Sequence, residues 1–129
     1  MNHEIAQKWV ATLRSGKYKP AKGALCRLDA EGNPVGYCCL GVLCEIAQDL
    51  TVGISKYNRE IRTYNGATGF LPSEVLEWAG MRGDPEEWEG DEGGYRDWQG
   101  LLAEMNDYLD SPDVFLDIAN FIEEHEQEI

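Results

Sequence analysis

Four cysteines are the first residues that could carry chemistry, because thiolates bind metals, form disulfides and act as nucleophiles. They are Cys26, Cys38, Cys39 and Cys44. A structural zinc site needs four well-placed ligands, and this spacing contains no Cys-x-x-Cys knuckle. Adjacent cysteines do not readily pair, and the set is too small for a secreted disulfide scaffold. The pattern favours reduced, buried thiols without metal or cofactor, and it leaves zinc or a disulfide as alternatives.

Acid–base catalysis needs a base near a nucleophile, and the sequence shows no such pair. The two histidines, His3 and His125, lie in charged stretches near the chain ends, away from any serine or cysteine. We expect both to be solvated. Asn106 and Asp107 are adjacent polar residues at the end of a predicted helix, and this position favours a turn or capping role. The sequence thus predicts no catalytic residues and a protein that is not an enzyme. A small enzyme of unknown chemistry remains an alternative.

Residues 84–98 suit protein binding better than catalysis. They contain seven acidic residues with aromatic side chains between them. Tryptophan and tyrosine anchor many interfaces, and an acidic field speeds the encounter with a basic partner. An EF-hand is excluded, because Trp88 and Glu89 occupy the positions of a ligand and the required glycine. The predicted partner-binding residues are Asp84, Glu86, Glu87, Trp88, Glu89, Asp91, Glu92, Tyr95 and Trp98. The alternative is that Trp88 and Trp98 fold back onto the core.

A short basic connector, residues 17–23, provides a second candidate site. Its lysines, with a nearby arginine, could hold phosphate oxygens beside the backbone amides of Gly16 and Gly23. It is not a Walker A loop, because no Gly-Lys-Ser/Thr follows a strand. The phosphate-binding residues of this alternative are Lys17, Lys19, Lys22 and Arg27. An ordinary solvated surface would explain the same residues.

The charge of the chain is strongly uneven. Residues 1–62 hold nine basic and six acidic residues, whereas residues 63–129 hold two basic and eighteen acidic ones. The net charges are therefore +3 and −16. Such asymmetry concerns partners and solubility rather than fold. Since the acidic half repels a nucleic-acid backbone, we predict no direct nucleic-acid binding and a protein partner with a basic surface.

The element that must position these residues is a nearly uncharged run, residues 37–50. Cys39, Leu43 and Leu50 recur at helical spacing, and the opposite face is also apolar. This pattern predicts a helix that is buried nearly all round.

Two hairpins and four further helices are predicted around that helix. The first hairpin joins residues 24–28 and 34–38, and the second joins 59–64 to 67–70 through the Asn65-Gly66 turn. The other helices have apolar faces within residues 2–16, 72–80, 101–109 and 112–122. The apolar face of residues 101–109 includes Tyr108 and Leu109. Residues 82–99 are expected to form a long surface loop. The order predicts one α+β domain over residues 1–129, with a small antiparallel sheet packed against about five helices.

Several segments resemble a family of small uncharacterised phage and prophage proteins. They are residues 9–19 (WVATLRSGKYK), 38–44 (CCLGVLC), 71–80 (LPSEVLEWAG), 102–107 (LAEMND) and 118–123 (IANFIE). The CCLGVLC run is the most specific, whereas Pro20-Ala21 departs from the Gln-Gly of the family's connector. The resemblance implies an accessory phage gene product acting inside a bacterium, and it assigns no catalytic residues.

These observations favour a non-catalytic inhibitor that binds a bacterial defence or nucleic-acid-processing protein through its acidic, aromatic surface. Spaced carboxylates would there take the place of DNA phosphates. The alternative function is a nucleotide-binding sponge built on the basic connector, which would form homo-oligomers. No apolar run approaches the roughly 20 residues that cross a bilayer, and the N-terminus does not resemble a signal peptide. We therefore expect a cytoplasmic protein without membrane contact.

Overall fold

The computed structural model describes residues 1–47, 52–81 and 98–129, in which the chain forms five helices and four strands. This arrangement confirms the predicted α+β class. No helix in these ranges is long and apolar enough to cross a membrane. The elements are α1 (His3–Arg14), β1 (Cys26–Leu28), β2 (Pro34–Tyr37), α2 (Cys39–Ile46), β3 (Ile54–Lys56), β4 (Arg62–Tyr64), α3 (Ser73–Ala79), α4 (Trp98–Tyr108) and α5 (Val114–His125).

Helix α2 lies at the centre of the core, as its uniform apolarity predicts. Seven of its eight residues are buried, and Glu45 is the exception. Gly41 allows close approach, since a Cβ there would lie only 1.8 Å from the carbonyl oxygen of Leu25. The Nε1 of Trp9 on α1 donates a hydrogen bond to the carbonyl of Cys39 at 2.9 Å. Both α1 and the chain before β1 therefore pack directly on α2.

Helices α1 and α5 form a second layer of packing. Helix α1 begins after Asn2, whose side chain accepts a hydrogen bond from the Ile5 amide, and it buries four residues. At the rim of this contact, the Arg14 guanidinium binds Glu123 at 2.8 Å and Asn120 at 2.7 Å. Because these groups are exposed, the buried apolar faces contribute most of the stabilisation.

The two hairpins lie side by side. Strands β1 and β2 are antiparallel, as are β3 and β4. A bridge from Arg27 to Ile61 and a hydrogen bond from the Leu28 amide to the Glu60 carbonyl join β1 to β4. Within the described residues, the strands thus form two two-stranded sheets, with β1 beside the residues that lead into β4. On the outer side of β2, the Tyr37 backbone bonds with Lys19 and Ala21 of the basic connector.

The second hairpin differs from its prediction. The Asn65-Gly66 turn has the expected positive φ angles of 50° and 84°, and Tyr64 pairs with Ala67 beyond it. The predicted returning strand then leaves, because the Thr68 carbonyl accepts a hydrogen bond from the Leu25 amide at 2.7 Å. Strand β4 instead pairs with β3 upstream, a strand that the sequence did not indicate.

Candidate functional site

The predicted acidic binding segment falls largely outside the described residues. This applies to Asp84, Glu86, Glu87, Trp88, Glu89, Asp91, Glu92 and Tyr95. Their role in binding a partner stays a prediction.

Trp98 is described, and the structure places it in the core rather than at a surface. It lies in the first turn of α4, inside the stretch that was predicted to be a loop, and is only 8% exposed. Its ring packs against Phe121 and His125 of α5, with centroids 6.3 and 6.2 Å away. A tryptophan buried between two helices cannot insert into a partner, so Trp98 corresponds to the alternative prediction. His125, expected to be solvated, is partly covered by the same contacts.

An acidic and apolar surface does exist within the described residues, where α4 ends and α5 begins. Residues 98–129 hold nine acidic residues and no lysine or arginine. Among them Tyr108 is 78% exposed, Leu116 42% and Leu109 37%. Exposed carboxylates lie close to these side chains in the sequence, at Asp110, Asp113 and Asp117. We call this surface, residues 108–117, the α4–α5 corner.

Local hydrogen bonds hold the α4–α5 corner in shape. Asp113 caps α5, since its side chain accepts a hydrogen bond from the Leu116 amide at 3.2 Å. The Ser111 hydroxyl donates to the Asp117 carboxylate and accepts from the Asp113 amide. These bonds hold the turn that joins α4 to α5, and a segment that is already ordered loses less entropy on binding.

A cavity of about 380 Å³ lies beside the corner. Its polar lining includes the carboxylates of Asp110 and Asp113. Lys22 of the basic connector also lines it and adds one positive charge. Leu109 and Val114 contribute apolar surface. A cavity with this composition suits the long apolar stem and cationic head of a lysine or arginine from a partner.

Asn106 attaches α4 to the rest of the fold. It is 1% exposed, and its Oδ1 accepts a hydrogen bond from the Cys39 amide at the start of α2. Its Nδ2 donates to the Ala21 carbonyl at 2.7 Å. The neighbouring Asp107 carboxylate accepts a hydrogen bond from the Gly23 amide at 3.0 Å. The sequence predicts a turn or capping role at the end of their own helix, whereas the two side chains bond to the start of α2 and to the connector.

The basic connector does not gather its charges at one described cavity. Lys17 lines a cavity beside α1, whereas Lys22 lines the cavity at the α4–α5 corner. The Arg27 Nε donates to the Lys22 carbonyl at 2.6 Å, and the Gly23 amide is occupied by the Asp107 carboxylate. An acid at this position opposes a bound phosphate. Phosphate binding by Lys17, Lys19, Lys22 and Arg27 stays a prediction that the geometry does not favour.

The cysteines are buried and free, as the sequence favours. Burial raises the pKa of the Cys38 thiol to about 11 and also raises the pKa values of Cys26, Cys39 and Cys44. These thiols are therefore neutral at pH 7 and poor nucleophiles. Within the described ranges, no three metal-binding side chains of the His, Cys, Asp or Glu type come together.

A polar cluster joins α2 to β4. The Glu45 carboxylate accepts hydrogen bonds from Arg62 at 3.0 Å and from the Tyr64 hydroxyl at 3.2 Å. Burial, and then the charge of Glu45, raises the pKa of Tyr64, so the phenol stays protonated and acts as a donor. The cluster satisfies its own hydrogen bonds, which fits a structural role.

The comparison of the sequence with protein families gives one match. Residues 1–126 match the family described as Domain of unknown function (DUF8296). The chain belongs to the DUF8296 family. No curated protein and no solved structure matches the chain. The DUF8296 match extends from α1 to the end of α5, so the connector and the α4–α5 corner both belong to the family domain.

Proposed function

We propose that this DUF8296 protein is a non-catalytic binding protein that docks on the basic surface of a partner protein. The docking surface is the α4–α5 corner, together with the acidic segment of residues 84–92. The observation that carries the proposal is the exposure of Tyr108 and Leu116 on either side of a hydrogen-bonded turn with exposed carboxylates. Apolar anchors surrounded by charge are typical of interfaces in which a few residues supply most of the affinity.

The partner class follows from charge and from the resemblance to phage proteins. We propose a bacterial nucleic-acid-processing or defence protein, which the DUF8296 protein inhibits in the cytoplasm by occupying a basic, DNA-binding cleft. The net charge of −16 over residues 63–129 supports this choice, because such a cleft attracts regularly spaced anions. The neutral, buried thiols support binding rather than covalent chemistry.

The test starts with affinity capture from a bacterial lysate and continues with the purified partner. We expect the double variant Tyr108→Ala, Leu116→Ala to weaken binding at least about tenfold, because interface anchors contribute roughly 1–2 kcal/mol each. Val35→Ala is the control, since Val35 is 50% exposed but belongs to β2. Equal affinity of the double variant and the wild type would exclude the α4–α5 corner as the docking surface.

A second variant tests the acidic segment. Neutralising Glu86, Glu87, Glu89, Asp91 and Glu92 together removes five negative charges. We expect slower association and a weaker dependence of the affinity on salt, because exposed charges act through a screened field. Unchanged inhibition by this variant would remove the segment from the proposed surface.

A further inference from the structure

The outer edge of β3 is open in the part of the chain that the structure describes. The Gly53 carbonyl accepts a hydrogen bond from the Asn65 amide, and the Tyr57 amide donates to the Ile61 carbonyl. Antiparallel strands alternate the direction of their backbone groups, so Ser55 also points toward β4, where it pairs with Thr63. The amides and carbonyls of Ile54 and Lys56 consequently point away from the sheet. They form a template for one further strand.

The outer edge of the first hairpin differs from this one. There the basic connector covers β2 through hydrogen bonds with Tyr37. All three residues of β3 are exposed, and Ile54 and Tyr57 leave 54% and 70% of their surfaces in water. An open edge with apolar side chains is the arrangement that binds extended peptides by strand addition.

The charges beside β3 determine whether an acidic or a basic peptide would bind better. A cavity of about 380 Å³ lies between the two hairpin turns and is lined by Lys56, Arg59 and Asn58 together with Glu31. Neither Lys56 nor Arg59 forms an ion pair within the described ranges. The Lys56 ammonium lies against Gly32 of the first hairpin turn, and its long side chain reaches the outer edge by rotating away from that turn. The excess of positive charge over Glu31 then favours carboxylates in an incoming strand.

A second copy of β3 fits this edge poorly. If two β3 strands paired about their Ser55 residues, each Ile54 would face the Lys56 of the other copy. Both ammonium groups would then lose solvent without gaining a counter-charge, and edge lysines commonly prevent such pairing.

We propose that the β3 edge binds an extended acidic segment of a partner protein as an additional antiparallel or parallel strand. Its backbone bonds with Ile54 and Lys56, an apolar side chain covers Ile54, and carboxylates reach Lys56 and Arg59. This surface is separate from the α4–α5 corner and has the opposite charge, so the proposal does not rest on the function proposed above.

The test uses a short, end-capped fluorescent peptide that carries valine and glutamate two residues apart, so that both lie on the face of the sheet that holds Ile54 and Lys56, and its binding is measured by anisotropy. Two related peptides separate the contribution of charge from that of backbone hydrogen bonds. One replaces glutamate by lysine, and the other carries N-methyl groups on consecutive amides, so that neither edge can donate strand hydrogen bonds. We expect binding of the acidic peptide, and binding at least about tenfold weaker for both others. Equal binding of the three peptides, or none by the acidic peptide, would overturn the proposal.

Variants of the protein locate the contact. Ile54→Pro removes an amide that points outward, a change that edge strands tolerate, and should abolish binding. Lys56→Glu with Arg59→Glu should weaken it, whereas Lys8→Glu on α1 should not. Circular dichroism shows whether each variant is folded. If Ile54→Pro leaves peptide binding intact, the edge is not the site. If the peptide fails to bind but Ile54→Pro dissociates a dimer in sedimentation, the occupant is a second copy and the proposal is wrong.

Discussion

Asn106 links three parts of the chain through its side-chain amide. With alanine at this position, the buried Cys39 amide and the partly buried Ala21 carbonyl lose their partners. We expect Asn106→Ala to lower the free energy of unfolding by about 2–4 kcal/mol, since each unpaired buried group costs about 1–3 kcal/mol. Urea unfolding measures this loss. Asn120→Ala is the control, because Asn120 is exposed and only supports Arg14. Equal losses in the two variants would contradict the role given to Asn106.

The thiol of Cys38 makes the free energy of unfolding depend on pH in the alkaline range. Its pKa is about 11 in the folded protein because of burial, against an ordinary value of 9.0. The folded state therefore binds this proton more tightly than the unfolded state does. Stability is unaffected well below pH 9 and falls as the pH rises from 9 to 11, by about 1.4 kcal/mol per pH unit for each such group. Cys39 and Tyr64, whose pKa values are also raised, act in the same direction.

Cys38→Ser isolates the contribution of this thiol. The Cys38 sulfur caps α2 by accepting a hydrogen bond from the Gly41 amide, and a serine hydroxyl keeps this cap without titrating. We expect a smaller loss of stability between pH 9 and 11 than in the wild type. Urea unfolding under reducing conditions measures both curves. Identical slopes would show that Cys38 does not contribute.

At the scale of elements, the close contact of α2 with the chain before β1 depends on Gly41. A helical glycine replaced by alanine normally gains up to about 1 kcal/mol. Here the methyl group would overlap the Leu25 carbonyl, and such overpacking costs about 1–3 kcal/mol or more. We expect Gly41→Ala to be destabilising when its urea midpoint is compared with that of the wild type. Gly69→Ala should be nearly neutral, because open space surrounds that position. A stabilised Gly41→Ala variant would show that the two segments lie further apart.

Elements with strong local signals are predictable from the sequence. The Asn2 cap fixes the start of α1, and Gly80, with a φ of 66°, ends α3 where expected. The apolar run of α2 requires burial in any fold. Strand β3 has no such signal, because its residues are exposed on both faces and show no alternation. Its pairing is set by β4, which lies several residues away in the sequence.

The α4–α5 corner was missed for a related reason. Helical spacing places Tyr108 and Leu109 on the same face as Leu101 and Met105, which predicts burial. Helix α4 ends at Tyr108, so the last residues of that face extend past the packed part of the molecule. Exposure at a helix end depends on neighbouring elements, and periodicity does not contain this information. The density of acidic residues around position 110 is the signal in the sequence that points to the corner.

At the scale of the whole molecule, uncompensated charge opposes folding. Residues 98–129 carry nine acidic residues without lysine or arginine, while the Arg14–Glu123 ion pair is exposed. Exposed pairs contribute about 0–1 kcal/mol, and repulsion among many carboxylates acts over roughly 8–10 Å. The repulsion among the carboxylates therefore outweighs the stabilisation by exposed ion pairs. We expect the thermal midpoint to rise with sodium chloride, since salt weakens the repulsion more than it weakens the few exposed pairs.

One charge reversal separates this screening from the general effect of salt on apolar surfaces. Glu124 is exposed on α5 and forms no ion pair within the described residues. Glu124→Lys should raise the thermal midpoint at low ionic strength and reduce its dependence on salt, whereas Glu124→Gln should produce about half of each change. A wild-type midpoint that falls with salt would mean that the ion pairs dominate. The same repulsion then explains how a basic partner would stabilise the protein, because binding would neutralise the charge that folding concentrates.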